Sequence, residues 1–289
     1  MNWSISEDHK LSGDPAVNLE FTAVKKLSKG KRIEMPEMHM GDVDTIVIHY
    51  TAGSSGLSSA RWLSTETVAA SAHIVIDRSG QIYQLVPFNR KAWHAGISEH
   101  SGRSGFNDFS IGIELDNAGP LTKAGNRYRS SFNSEYTEDE VLKAIHKDES
   151  SARFWHKYSE TQTLVCEMLC SLLISHYGIR FILGHDEISV GRKIDPGPAF
   201  SMDEFRARLL NQDRSESNSF EKFEGTVTAT KLNIRQGPGI ANKVVGNPLP
   251  AGQHVKVVGE HNGWLEVETV IKGWVSKDHV RKNNDLTQL

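Results

Sequence analysis

Apolar and polar positions follow three different rhythms along this chain. The sharpest begins at Asp44. Thr45-Ile46-Val47-Ile48-His49-Tyr50 is β-branched and apolar, and it runs straight into Thr51-Ala52-Gly53-Ser54-Ser55-Gly56. That predicts a buried strand opening into a Gly/Ser-rich loop. A short helix is predicted over Ser58–Thr67. Ala72–Asp77 and Gln81–Val86 predict two strands around a tight turn, with Gly80 where positive φ is needed. Ala92–Gly96 reads as a loop and Ser110–Leu115 as a further strand. Leu164, Met168, Leu169, Leu172 and Leu173 fall at core spacing on a helix over Ser159–His176, ended by Gly178. The apolar run Ile179–Leu183 predicts a buried strand or helix end, and Ser201–Leu210 a terminal helix. Strands alternating with helices over residues 41–210 predict an α/β domain, a mixed central sheet flanked by helices.

The other two rhythms are weaker. Residues 1–40 form a polar arm, with one predicted strand at Val17–Val24 and a basic run, Lys25–Arg32, expected as a solvated loop. Residues 118–157 are a long polar excursion. A structureless loop of that length is unusual inside a domain, so helices are expected there. One is placed at Thr137–Lys147, opened by the capping-box pattern Thr137-Glu138-Asp139-Glu140. Residues 211–222, charged and serine-rich, read as a linker. Beyond it come short β segments broken by glycine: Gly225–Ala229, Leu232–Arg235, Val244-Val245, His254–Val258, Trp264–Val270 and Gly273-Trp274-Val275. That spacing predicts a small all-β barrel over residues 223–283.

Composition narrows the field without choosing a function. The 289 residues suffice for one large domain or two smaller ones. A net charge of -3 gives no electrostatic footprint for nucleic acid and no reason for adhesion to an anionic membrane. No run of about 18 apolar residues is present to span a bilayer. Cys166 and Cys170, four apart on one helix face, read as core thiols rather than a disulfide. Met1–Asp8 has neither a basic start nor an apolar core, so no secretory signal is expected.

The chemistry concentrates in Gly184–Pro198. This short segment holds His185, Arg192, Lys193 and Asp195, with Pro196 and Pro198 forbidding regular structure beyond them. An imidazole and a carboxylate are a usual pair of zinc ligands. Lys193 and Asp195 face the same way if the segment is extended. His49 stands at a strand's C-terminal end, where α/β sheets place ligand-binding groups, although a lone strand histidine is more often a satisfied core residue. Glu114 interrupts the apolar run Ser110–Leu115. That is costly unless the carboxylate is paired or reaches a polar site; the bland alternative is an edge-strand acid facing water. Spacing alone does not select these residues from thirteen histidines and thirty-six acids.

Five stretches in order carry a family resemblance: Ile48-His49-Tyr50-Thr51-Ala52, Ser71-Ala72-His73, Ala92-Trp93-His94-Ala95-Gly96, Ser110–Leu115, and Gly184-His185 through Gly191–Pro198. Residues 44–205 resemble the zinc-dependent N-acetylmuramoyl-L-alanine amidases related to phage amidase-type lysozymes and to animal peptidoglycan recognition proteins. The resemblance implies Zn2+ on His49, His185 and Asp195, Glu114 as the general base and Lys193 as the oxyanion partner. It implies Trp93 and His94 lining the substrate groove, with His73 nearby. Residues 224–281 resemble a bacterial Src-homology-3-like domain through Leu232-Asn233-Ile234-Arg235-Gln236-Gly237-Pro238, Asn262-Gly263-Trp264 and Gly273-Trp274-Val275. Such domains usually bind cell-wall peptide.

The expectation is a two-domain peptidoglycan hydrolase that acts on peptidoglycan or muropeptides. Its rivals are a non-catalytic wall-recognition protein and a zinc amidohydrolase for another amide. Nucleic acid and membrane are not expected partners. Without a visible signal, the chain is expected either to reach the wall by non-classical export, as an endolysin or as an effector with an immunity protein, or to recycle wall fragments in the cytoplasm.

Overall fold

In the computed structural model, residues 2–14, 17–23, 25–28, 31–210, 223–236, 243–261 and 264–269 are described. The chain divides into two units, Met1–Gln212 and Asp213–Leu289. The polar arm is more regular than its pattern suggests. β1 (Asn2–Ile5) pairs with β2 (Leu11–Asp14), and β3 (Lys25–Ser28) with β4 (Lys31–Glu34). The described residues of the basic run are therefore paired strands rather than loop. Ser28 stands opposite Lys31 in that pairing. The strand expected at Val17–Val24 reduces to one bridge, Asn18 to Tyr83. A turn from Leu19 to Thr22 ends it at once.

The first unit is organised by a five-stranded sheet. Its members are β5 (Thr45–Tyr50), β6 (Ile74–Ile76), β7 (Ile82–Gln84), β10 (Ser110–Leu115) and β16 (Phe181–Gly184), in the order β16-β5-β10-β6-β7. The first four in that order run parallel, and β7 returns antiparallel from β6 across the Gly80 turn, where φ is +90°. Thr45–His49 are all buried, which is why β5 reads as a continuous apolar run rather than an alternating one. α1 (Gly56–Ser64) follows β5. It begins two residues earlier than expected because Ser55 caps it, its Oγ accepting from Ser58 N at 3.1 Å. The small hairpin β8 (Glu99–His100) and β9 (Arg103–Ser104) precedes β10.

The excursion at 118–157 holds strands, not helices. β11 (Pro120–Ala124), β12 (Arg127–Arg129), β13 (Glu135–Tyr136), β14 (Val141–Ile145) and β15 (Ala152–His156) form an antiparallel sheet ordered β13-β12-β11-β15-β14. The capping box at Thr137 and Glu140 does form, but it closes only the 3-10 turn Glu138–Glu140. Val141–Ile145 then finds a full strand partner in Ala152–His156. Tertiary pairing overrides the local start signal there. Ala118, Leu121 and Tyr128 give this sheet its own small core.

α2 (Glu160–Tyr177) is capped by Ser159 and ends at Gly178, whose φ is 68°. It buries Gln162, Val165, Cys166, Leu169, Cys170 and Leu173, an i, i+3, i+4 stripe. Leu164, expected in that stripe, is 55% exposed. Both cysteines are buried free thiols. The one-turn α3 (His185–Ile188) follows β16, and α4 (Met202–Leu210) packs Phe205 and Leu209 into the main core. Among the described residues, no helix is long and apolar enough to cross a membrane.

The second unit contains β17 (Phe223–Thr226), β18 (Lys231–Leu232), β19 (Leu249–Pro250), β20 (His254–His261) and β21 (Trp264–Glu268). β17, β20 and β21 form one antiparallel sheet, and β18 pairs with β19. Val227, Leu249, Val255 and Val257 make its core. Residues 211–222, Gly237-Pro238, Asn262-Gly263 and Gly273-Trp274-Val275 lie outside the described residues.

Candidate metal centre and its cavity

Parallel register gathers the chemistry at one edge of the sheet. His49 and Glu114 are direct partners on β5 and β10, and Gly184 of β16 pairs with Ile48, so His185 emerges beside them. The loop after α3 then returns Asp195. Gly184 has to be glycine here, because a Cβ would lie 2.5 Å from Asp186 Oδ1 and 2.9 Å from Pro196 Cδ. The Asp186 amide donates to Asp195 O at 2.8 Å, which ties the two ends of the segment together.

The result is a tight triangle. His49 Nδ1 lies 2.9 Å from His185 Nδ1 and 3.0 Å from Asp195 Oδ2, and His185 Nδ1 lies 2.9 Å from the same oxygen. All three residues are buried.

Their tautomers follow from groups that can only accept. His185 Nε2 faces Ala95 O at 3.3 Å, so the proton of the neutral ring sits on Nε2. The Ser110 hydroxyl is donated to Phe106 O, so its oxygen accepts from His94 Nε2 at 3.3 Å. His94 Nδ1 therefore accepts from His49 Nε2 at 3.0 Å. Both histidines thus turn a bare Nδ1 lone pair toward the Asp195 carboxylate. Three acceptors meet about 3 Å apart with no hydrogen between them. Such a set suits a shared cation bonded at about 2.0–2.2 Å, and these three side chains could hold a metal ion.

The ionisation states agree. Burial, reinforced by the positive charge His185 can carry, lowers the His49 pKa to about 4, so the ring is neutral near pH 7. Burial alone would raise Asp195, but the adjoining imidazoles outweigh it and hold the carboxyl below its usual range. Glu114 shifts the opposite way. Burial and the Asp195 charge push it well above the ordinary carboxylate range, against the pull of Lys193. The alternative of a water-facing edge acid is excluded, since β10 is the middle strand and Glu114 Oε2 is buried with no hydrogen-bond partner.

A cavity of about 700 Å³ opens onto this cluster, lined among others by His49, Glu114, His185, Lys193, Asp195 and Trp62. The residues expected at its wall fare differently. His94 lines it, yet the ring is buried and both nitrogens are engaged, so it supports His49 more than it faces the opening. Gly112 makes room for that ring, because a Cβ there would sit 2.4 Å from His94 Cγ. His73 is a correction: it is fully buried, accepts from Gly112 N at 3.0 Å and donates to Arg90 O at 2.9 Å, and it does not reach the cavity. Trp93 is half-buried and packs on the Met35 and Ala60 cluster instead of lining the cavity.

The roles of other contributors escaped sequence reasoning. Trp62 stands at the cavity and is 57% exposed; an indole six residues after a Gly/Ser loop was the available signal. Arg192 donates to Ala95 O, Ile97 O and Ser189 Oγ, so it clamps the loop that carries His94. Ser110 gave no signal of its role, which exists only once the strand and the Phe106 turn meet.

Comparison with known proteins places these features. Residues 39–198 match the family model described as N-acetylmuramoyl-L-alanine amidase, and residues 230–281 match the bacterial SH3 domain. The chain is 37% identical over 147 residues to the 1,6-anhydro-N-acetylmuramyl-L-alanine amidase AmpD of Salmonella typhimurium, covering 50% of this chain and 60% of that protein. It is 33% identical over 167 residues to the N-acetylmuramoyl-L-alanine amidase AmiD of Escherichia coli, covering 55% of this chain and 50% of that one. The chain thus spans little more than half the length of these curated relatives. A solved complex of Escherichia coli AmiD with anhydro-N-acetylmuramic acid-L-Ala-D-gamma-Glu-L-Lys is 26% identical, with a TM-score of 0.44 over 64% of this chain and 65% of that one.

Proposed function

The chain belongs to the N-acetylmuramoyl-L-alanine amidase family and carries a bacterial SH3 domain, and from that premise we propose that it is a zinc-dependent peptidoglycan hydrolase. The bond cut is the amide between the lactyl group of N-acetylmuramic acid and L-alanine. The observation that carries this reading is the convergence of two histidine lone pairs and the Asp195 carboxylate on one point, with the Glu114 carboxylate in register beside it.

In this reading His49, His185 and Asp195 hold the zinc ion. Bound there, zinc supplies Lewis-acid activation of water and of the scissile carbonyl. Glu114 takes up a proton at its buried carboxylate during attack and returns it to the leaving amine. Its raised affinity for a proton suits that task. Lys193 opposes the negative charge that develops on the carbonyl oxygen. His94 and Ser110 keep the His49 proton on Nε2, so that Nδ1 stays free. Trp62, with Ser54 of the preceding loop and Ser58 and Ser59 of α1, forms one wall for the muropeptide. We assign catalysis to residues 41–210, a linker to 211–222, and wall-peptide binding to 223–283; that last module favours intact wall over soluble fragments.

The test combines metal analysis of the purified chain with mass spectrometry of digested sacculi, with and without a chelator. One zinc per chain and chelator-sensitive release of peptides with a free L-alanine amine are expected. Wall binding without release would make the chain a recognition protein. Equal cleavage of sugar-free amides would make it an amidohydrolase of another kind.

A further inference from the structure

The strands inserted at 118–157 reach the segment that carries His185 and Asp195. Where β14 turns into β15, His146 reaches the ligand segment: its Nε2 lies 3.0 Å from Asp186 Oδ2. The ring is held firmly. It is 1% exposed, it stacks on Trp155 with centroids 5.9 Å apart, and its Nδ1 accepts from Asp148 N at 3.2 Å. That last bond leaves the Nε2 proton aimed at Asp186. Lys147, the next residue, places Nζ 3.1 Å from the other carboxylate oxygen.

Asp186 is bonded to both halves of the cluster. It follows His185 in the chain, and its own amide donates to Asp195 O at 2.8 Å. Two more contacts from the same region brace the segment beyond Asp195. Tyr158 OH donates to Pro196 O at 2.8 Å, and Trp155 packs so closely on Gly197 that a Cβ there would lie 2.7 Å from Cζ3. Lys147 is 44% exposed, and an ion pair open to solvent contributes little net stability, so the placement of these contacts beside two ligands calls for another reason.

The geometry points to His146 as a positioning residue: through Asp186, the inserted sheet holds the backbone that presents His185 and Asp195 and thereby sets the affinity of the metal centre. The inference rests on the zinc reading above. Groups bonded directly to a metal ligand typically change affinity by about 10- to 100-fold; His146 acts one residue further out, through Asp186, so the low end of that range is expected.

The experiment uses the full chain, with zinc itself as the probe. His146→Leu keeps bulk against Trp155 and removes the donor; His146→Gln keeps a donor. Zinc affinity is measured by competition with a chromophoric chelator, and ligand geometry by the visible spectrum of the cobalt-substituted chain. His146→Leu is expected to bind zinc about 10-fold more weakly with an altered cobalt spectrum. His146→Gln should restore both to near wild type. Asp186→Ser replaces the carboxylate with a shorter side chain whose oxygen falls short of His146, and should match His146→Leu, with the double variant no weaker than either single one; this pair decides the matter if one variant folds poorly. Wild-type affinity in both His146→Leu and Asp186→Ser would overturn the inference while leaving the zinc reading intact. A wild-type chain that takes up no zinc would overturn both.

Discussion

Glu114→Gln isolates the proton-transfer step from everything else at the centre. The side chain keeps its shape and its place opposite His49, and it is not among the three converging donors. What disappears is a carboxylate whose Oε2 is buried, unpartnered and inclined to hold a proton. General acid–base groups contribute about 10²- to 10⁴-fold, or about 3–5 kcal/mol of barrier. The turnover of purified muropeptide, followed as free stem peptide by chromatography, should fall by that factor. Zinc content should stay at one per chain. The melting temperature should hold or rise, because an ionisable group leaves a buried site where its charged form was disfavoured. A kcat within tenfold of wild type, with zinc retained, would refute the assignment of Glu114 as the base.

Three further outcomes are expected. Lys193→Ala should cost about 100- to 1000-fold in kcat with zinc retained; a loss under tenfold in the same assay would make the lysine structural. Leu169→Ala should lower stability by about 2–5 kcal/mol in urea unfolding, whereas Leu164→Ala, on the exposed side of the same helix, should stay within about 0.5 kcal/mol. Acid should weaken the fold through His156. Its Nδ1 accepts from Ala118 N, and burial, aided by Arg78, lowers its pKa from 6.5 to about 4. The unfolded chain therefore binds this proton first, so stability is full above pH 6.5 and declines as pH falls toward 4, by about 3 kcal/mol for this one group. Replacing His156 with Gln should reduce the difference in unfolding free energy between pH 7.5 and pH 4.5 by about 2–3 kcal/mol, and an unchanged difference would show the ring to be free to ionise in the fold.

Much of the frame is local in origin and legible in the sequence. β5 follows from a continuous β-branched run and β10 from an apolar run broken by Glu114, since strands buried on both faces do not alternate. α2 is bounded by its own cap and its own glycine. The five motif stretches named the converging residues, because resemblance supplies what spacing cannot. The excursion at 118–157 was misread for a physical reason. A capping box is a start signal only, and Val141–Ile145 takes the conformation of the strand it meets, eleven residues on. Leu164 was misplaced because a helix face is chosen by what packs against it.

What the amino-acid order determined by itself was the set of elements and the kinds of side chain at their ends: an imidazole closing β5, an acid near the end of β10, a histidine following β16, and an aspartate held between a lysine and a proline. What only the tertiary structure decided was how those ends meet. Parallel register set His49 against Glu114, a carbonyl at Phe106 and another at Ala95 chose which nitrogens are bare, and burial removed His73 from the cavity while bringing His146 to Asp186. Hydrogen-bond direction and exposure belong to groups distant in sequence, so they take their values only when the chain has closed on itself.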